Sequence, residues 1–289
     1  MEKVIEKIAT ILEMIKFEHT VFALPFALMS AFIAARGLPQ WNKIVWILLA
    51  MVGARSMAMA FNRIVDVELD ARNPRTAGRA LPTGKIKLVH VWLFAIVSAL
   101  IFLVAAYQLN PLAFKLSPLV IFILCFYSYT KRFTWVSHLI LGLSLGIAPV
   151  GAWIAIRSEI AAIPVILGAG VLLWVAGFDI IYACLDYEFD NREDLFSIPK
   201  VLGIKGALIV SIIFHIFTLG LFYWAGVTAD LGILFLLGIL ITAFCLLYEH
   251  WIVRPNDLSS VNVSFFNING TISIILFIFT AADLYFFPA

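Results

Sequence analysis

Residues Leu88–Leu109 read LVHVWLFAIVSALIFLVAAYQL, without one Asp, Glu, Lys or Arg. A helix of that length rises about 33 Å, enough to cross the ~30 Å hydrocarbon core of a bilayer. Eight further apolar runs of similar length surround it. Together the nine predicted spans cover residues 17–35, 44–61, 88–109, 112–130, 136–156, 161–183, 206–226, 229–250 and 268–287. The composition agrees: 63% of the 289 residues are hydrophobic, 13% are charged, and the mean hydropathy is +1.03. Soluble domains average about 45–50% apolar and about 25% charged. A soluble fold of this length has too little interior for so much apolar surface, and too little polarity remains for disorder. The chain reads as an all-α membrane protein folded as a single domain over 1–289.

Outside the spans, three features stand out. Residues 1–16 place Ile5, Ile8, Leu12 and Ile15 at helical spacing among Glu and Lys, the pattern of a helix lying in the membrane interface. The N-terminus and even-numbered loops hold 15 Lys and Arg, the odd-numbered side holds 4, counting Lys115 at the start of the fourth span, and Arg55 alone lies deep within a span. Positive charge favours the cytoplasmic side, so the N-terminus and the two long loops, 62–87 and 184–205, are expected in the cytoplasm of a cell (inner) membrane. The net charge of +2 gives no reason to expect nucleic acid, and no obligate protein partner is evident. Cys125, Cys184 and Cys245 are far apart and read as small buried hydrophobes.

The two long loops carry the chemistry. One begins Asn62-x3-Asp66-x3-Asp70, the other Asp179-x2-Tyr182-x3-Asp186-x3-Asp190. Steps of four residues return to nearly the same helix face, so each motif predicts a polar stripe at a span's end. The two Asp pairs are 120 residues apart, and each follows the second span of a four-span block. That implies two four-helix repeats plus one added helix. Facing carboxylate pairs repel unless a cation joins them. Oxygen-only ligands favour Mg²⁺ or Ca²⁺, and Mg²⁺ is commonly shared between one or two carboxylates and phosphate oxygens. Asp66, Asp70, Asp186 and Asp190 are therefore the candidate catalytic and metal-binding set, with Asn62 on the same stripe. Arg72, Arg75, Arg79 and Lys131 are the candidate partners of a bound diphosphate.

Arg55 lies seven residues before Asn62, hence on the same face and about 10 Å deeper. An intramembrane arginine is costly and faces a cavity or a partner. It is expected to anchor a second, anionic substrate. Asp179 is expected either to pair with Arg55 or to shape that substrate's pocket, with Tyr182 beside it. The rival from another class is an ion-coupled transporter, which would place its carboxylates near the bilayer midplane rather than at span ends.

Four segments together carry a family resemblance: Asn62-x3-Asp66-x3-Asp70, Arg79-Ala-Leu-Pro-Thr-Gly84, Tyr127-Ser-Tyr-Thr-Lys131 and Asp179-x2-Tyr182-Ala-x2-Asp186-x3-Asp190. They resemble the UbiA superfamily of intramembrane aromatic prenyltransferases, over the whole chain. The resemblance implies a bundle of nine helices around a central cavity. It also implies Mg²⁺-dependent transfer of a polyprenyl group from polyprenyl diphosphate to an aromatic acceptor. Asn62, Asp66 and Asp70 match the first metal motif, and Asp186 and Asp190 the second. Arg79 and Lys131 match diphosphate-binding positions. Arg55 matches the arginine that meets the acceptor carboxylate in the 4-hydroxybenzoate branch. The second motif departs from the usual pattern, with Tyr187 where the ubiquinone-type enzymes carry arginine, and the first span opens Lys16-Phe-Glu-His19. Those departures resemble a branch of menaquinone synthesis whose acceptor is 1,4-dihydroxy-6-naphthoate. Both acceptors carry a carboxylate, so Arg55 fits either.

Overall fold

The structure is a computed structural model describing residues 22–287, with Thr10 and Glu13. The interfacial helix expected over 1–16 lies outside the described residues. Those described are helical, with one isolated bridge between Arg254 and Asp257 and no strand. In chain order the helices are α1 (Leu24–Ala35), α2 (Trp41–Val65), α3 (Val67–Arg72), α4 (Leu88–Leu109), α5 (Pro111–Thr130) and α6 (Ser137–Arg157). Then come α7 (Ala162–Ala183), α8 (Tyr187–Arg192), α9 (Ile198–Thr228), α10 (Ile233–Ile252) and α11 (Asn269–Phe286). A helical turn Val261–Val263 and a π-helical turn Ser264–Ile268 lead into α11.

Eight of these are long and apolar enough to cross a bilayer. The ninth expected span, 17–35, is described only as α1, whose 12 residues rise about 18 Å. α1 is interior rather than lipid-facing. Phe26, Ala27, Met29, Ser30, Ala31, Ile33 and Ala34 are all buried, and the helix packs against α6 and α11. It ends because Arg36 turns left-handed (φ 51°), which lets the Gly37 amide donate back to the Phe32 carbonyl.

Elsewhere local chemistry also sets the ends. Asn110 separates α4 from α5: its side-chain oxygen accepts from the Ala113 amide, and Pro111 opens the next helix. Ser197 caps α9 by accepting from the Lys200 amide, and Gly203 (φ 69°) breaks that helix near its start. The membrane-spanning part of α9 therefore begins beyond Gly203, close to the expected 206.

Small residues bring α6 and α7 together. Gly146 and Gly168 face each other so closely that a Cβ on either would collide with the other's carbonyl oxygen. Between them and α1, α9, α10 and α11 lies the main apolar core, with Trp174, Phe26, Phe222 and Phe235 fully buried. Ile96, Leu100, Val104, Ile213, Phe217, Leu240 and Leu247 are exposed on the outside of the long helices. A belt of that kind is stable only against lipid, and the chain is a multi-pass membrane protein.

Candidate active site

Both Asp motifs sit where a long helix gives way to a six-residue one. Asp66 (φ −94°, ψ 6°) separates α2 from α3, and Asp186 (φ −100°, ψ 7°) precedes α8 after a 3₁₀ turn at Cys184–Asp186. The stripe nonetheless survives the bend. The Asp66 amide donates to the Asn62 carbonyl at 2.9 Å and the Asp70 amide to the Asp66 carbonyl at 2.7 Å, so the four-residue register is kept. The expected loop 62–87 thus starts inside α2, and the loop 184–205 is largely helical.

The two motifs face one polar chamber of about 310 Å³. Asn62, Asp66, Asp70, Asp179, Tyr182, Asp186 and Asp190 all line it, as do Arg55, Arg75, Arg79 and Lys131. Arg72 does not. It points outward and bonds Glu193 at 3.1 Å, tying α3 to the end of α8. The diphosphate set expected from the sequence therefore loses Arg72 to a bridge between the two motif segments.

Each motif carboxylate with a charged partner holds a base. Asp66 is buried and receives Lys131 at 3.3 Å, Arg132 at 2.8 Å and the Asn62 amide group at 3.0 Å. Asp70 receives Arg79 at 2.6 Å on one oxygen; its other oxygen is buried without a hydrogen bond. Asp186 takes two bonds from Arg75, at 3.0 and 2.5 Å, and one from Asn73 at 2.9 Å. Arg75 also donates to the Tyr182 hydroxyl at 3.0 Å. Burial works against the charged form of Arg75, but the bond and charge of Asp186 outweigh it and raise its pKa. Asp179 is held by His138 at 2.7 Å. The other His138 nitrogen accepts from the Ile198 amide at 3.3 Å, so the proton facing Asp179 is on Nδ1.

Sequence reading missed Arg132, Asn73 and His138. Arg132 directly follows the flagged Lys131, and that adjacency was the one available signal. Asn73 and His138 meet their partners across 113 and 41 residues, with no local pattern to mark them.

Charge in the chamber is balanced: five aspartates line it beside five basic residues, Arg55, Arg63, Arg75, Arg79 and Lys131. A diphosphate entering it would bring several uncompensated negative charges. Among the described residues no three His, Cys, Asp or Glu side chains converge as a ready-made metal cage. The donors still fit a hard divalent cation that takes one or two carboxylates and completes its shell with phosphate oxygens and water. The buried, unbonded oxygen of Asp70 is one such donor.

A second, apolar cavity of about 400 Å³ joins the chamber. Arg55, Met59, Asn62, Tyr127, Leu141 and Leu145 border both spaces. From this throat the cavity runs between α2, α4, α5 and α6 as far as Ile47, about 22 Å along α2 from Asn62. Its walls are Ala50, Ala54, Phe102, Leu116, Ile123 and similar side chains. Leu119 and Ile160 border it too, and both are more than half exposed.

An acid- and base-lined chamber at the ends of the helices, opening into a long greasy slot, suits an amphiphile with an anionic head and a hydrocarbon tail. Comparisons with known proteins agree. The UbiA prenyltransferase family matches residues 23–271. A 4-hydroxybenzoate octaprenyltransferase of Vibrio campbellii is 29% identical over 247 residues, covering 85% of this chain and 86% of that protein. A UbiA homologue from Aeropyrum pernix K1, solved without ligand, superposes with a TM-score of 0.80 at 32% identity, covering 93% of this chain and 98% of that one. A UbiA homologue from Archaeoglobus fulgidus, bound to DMAPP and Mg²⁺, shares the fold with a TM-score of 0.73 at 20% identity, covering 96% and 99%. The chain belongs to the UbiA prenyltransferase family. It is a membrane-embedded prenyltransferase.

Proposed function

We propose that this enzyme transfers a polyprenyl group from polyprenyl diphosphate to a hydroxylated aromatic carboxylate in quinone biosynthesis, with 4-hydroxybenzoate as the acceptor. The observation that carries the reading is the position of Arg55. It borders both the polar chamber and the apolar cavity, so a cation stands where the head and tail of a prenyl diphosphate would join and a second anion could approach. The name of the Vibrio campbellii relative supports the same acceptor.

In this reading Asn62, Asp66, Asp70, Asp186 and Asp190 hold Mg²⁺. When bound, Mg²⁺ offsets charge that develops on the departing diphosphate. Arg75, Arg79 and Lys131 exchange their aspartate partners for diphosphate oxygens, so the bases that now hold the carboxylates in place become the grip on the leaving group. Arg55 binds the acceptor carboxylate and turns the ring towards C1 of the prenyl chain. The bond from C1 to the diphosphate oxygen breaks, and its electron pair stays with the diphosphate. A ring carbon made electron-rich by its hydroxyl supplies the electrons of the new carbon–carbon bond, and the ring then loses a proton. Asp179 and Tyr182 line the acceptor side, and the apolar throat residues keep water from the allylic cation. The reading puts the N-terminus and both Asp motifs on the cytoplasmic side of the cell (inner) membrane, supported by the 15-to-4 distribution of Lys and Arg.

The test is prenyl transfer by purified protein in detergent, with Mg²⁺, geranyl diphosphate and either 4-hydroxybenzoate or 1,4-dihydroxy-6-naphthoate, and EDTA as control. Product with 4-hydroxybenzoate that EDTA abolishes is the expected result. Product with the naphthoate alone would move the enzyme to menaquinone synthesis, and diphosphate release with neither would overturn the acceptor class.

A further inference from the structure

Behind the chamber wall, α10 buries a carboxylate that the proposed reaction does not use. Glu249 is fully buried, and one of its oxygens accepts from Ser264 Oγ at 2.6 Å and from Asn269 Nδ2 at 2.8 Å. Asn269 Nδ2 also donates to the Ser264 carbonyl at 3.0 Å. The other Glu249 oxygen faces His215 Nδ1 at 3.7 Å and has no hydrogen bond. His215 Nε2 donates to the Trp174 carbonyl of α7 at 3.3 Å, so its Nδ1 accepts, and His250 Nε2 donates to it at 2.9 Å. Gly177 permits this approach, because a Cβ there would collide with the His215 ring. Glu249 thus sits between His215 of α9 and the segment that enters α11.

Ser264 and Asn269 bracket the π-helical turn Ser264–Ile268. A π-turn is an uncommon, widened stretch of helix, found often at functional sites. Relaxing it to α-helix would turn its side chains by about one residue's worth of rotation, roughly 100°. The side chains it carries into the chamber are Phe265 and Phe266. The Phe265 ring lies 4.4 Å from Tyr182, 5.2 Å from Phe178 and 5.4 Å from Phe22, centroid to centroid. It is therefore the hub of the chamber's aromatic wall, while Glu249 does not touch the chamber at all.

We infer that Glu249 is a positioning residue: by bonding both ends of the π-turn it sets Phe265 against Tyr182 and Phe178, and so fixes the wall on which the flat acceptor ring packs. This rests on the aromatic acceptor proposed above. The carboxylate acts only through Ser264, Asn269 and the rings they place. Disturbing it is expected to loosen acceptor binding while leaving the diphosphate end, which Arg75, Arg79 and Lys131 face, nearly unchanged.

The experiment compares the full-length protein with Glu249→Ala and Glu249→Gln in detergent. Glutamine keeps an oxygen to accept from Ser264 and Asn269, whereas alanine removes it. Hydrogen exchange of residues 261–270 is expected to speed up by about tenfold or more in Glu249→Ala and to stay within about threefold of wild type in Glu249→Gln. Acceptor KM is expected to rise by about tenfold in Glu249→Ala, with donor KM changed less than about threefold, and to be restored in Glu249→Gln. Should Glu249→Ala fail to accumulate as folded protein, Ser264→Ala and Asn269→Ala each remove one of the bonds to Glu249 and carry the same test. Unchanged exchange in the alanine variants would overturn the proposal, as would equal rises in both KM values or no rescue by glutamine. Wild-type protein that transfers to no aromatic carboxylate would overturn the functional reading and the acceptor part of this one, while the exchange measurement would still decide whether Glu249 holds the turn.

Discussion

Replacing Arg55 by alanine separates the acceptor from the donor more sharply than any other single change. Arg55 is half-buried within α2 at the throat between the two cavities. A hydrogen bond to a charged group contributes about 1.5–3 kcal/mol, more than a neutral one, because the ionised partner adds Coulombic attraction. At 1.36 kcal/mol per tenfold that range corresponds to a rise in acceptor KM of about 10- to 150-fold. Arg75, Arg79 and Lys131 remain for the diphosphate, so donor KM is expected to change by less than about threefold. The assay is steady-state transfer, varying each substrate at saturating levels of the other. A phenolic acceptor without the carboxylate supplies the internal control, since it has nothing for Arg55 to hold and should be used equally by both proteins. Arg55→Lys should recover part of the loss, because lysine restores the charge without the planar fork. A higher donor KM with unchanged acceptor KM would refute the reasoning, as would an equal penalty on the acceptor lacking the carboxylate.

Three more outcomes follow from the geometry. Asp66→Asn and Asp190→Asn are each expected to cut kcat by about a hundredfold or more while the protein still elutes and melts as folded, because asparagine keeps the shape and loses the charge; near-normal turnover would remove these residues from the metal set. Gly146→Leu is expected to lower the thermal unfolding midpoint in detergent, since even a Cβ there meets the Gly168 carbonyl and overpacking commonly costs about 1–3 kcal/mol; an unchanged midpoint would contradict the close approach of α6 and α7. Thr83→Cys, on an exposed turn of the first motif segment, should react with an impermeant thiol reagent only from the cytoplasmic side, and labelling from the other side would invert the topology.

Much of the fold was legible because a bilayer imposes a simple rule on sequence. Runs such as 88–109 and 136–156 must be apolar over nearly their whole length, and helices occupy almost those residues. The Asp motifs were legible for a different reason: four-residue spacing survives folding even where α2 bends at Asp66. Arg55 was marked by its cost, as the one Lys or Arg deep within a predicted span. What escaped the sequence depends on contacts between distant segments. Nothing local separates Arg72, which turns outward to Glu193, from Arg75, which turns inward to Asp186. Asp179 was open to pairing with Arg55, yet His138 from α6 reaches it. The π-turn at Ser264–Ile268 has no periodic signature, so neither Phe265 nor the buried Glu249 behind it could be singled out.

The borders of the apolar cavity bear on how chain length would be selected. A closed slot acts as a ruler, rejecting any tail longer than its depth. This slot is bordered by Leu119 and Ile160, both largely exposed, and so has no end stop there. A tail that reaches them would continue into the surrounding lipid, where leaving the protein costs a hydrocarbon little. Such an enzyme inspects the head of its donor and the first few units behind it. The length of the tail on its product would then be decided by whichever synthase makes the donor.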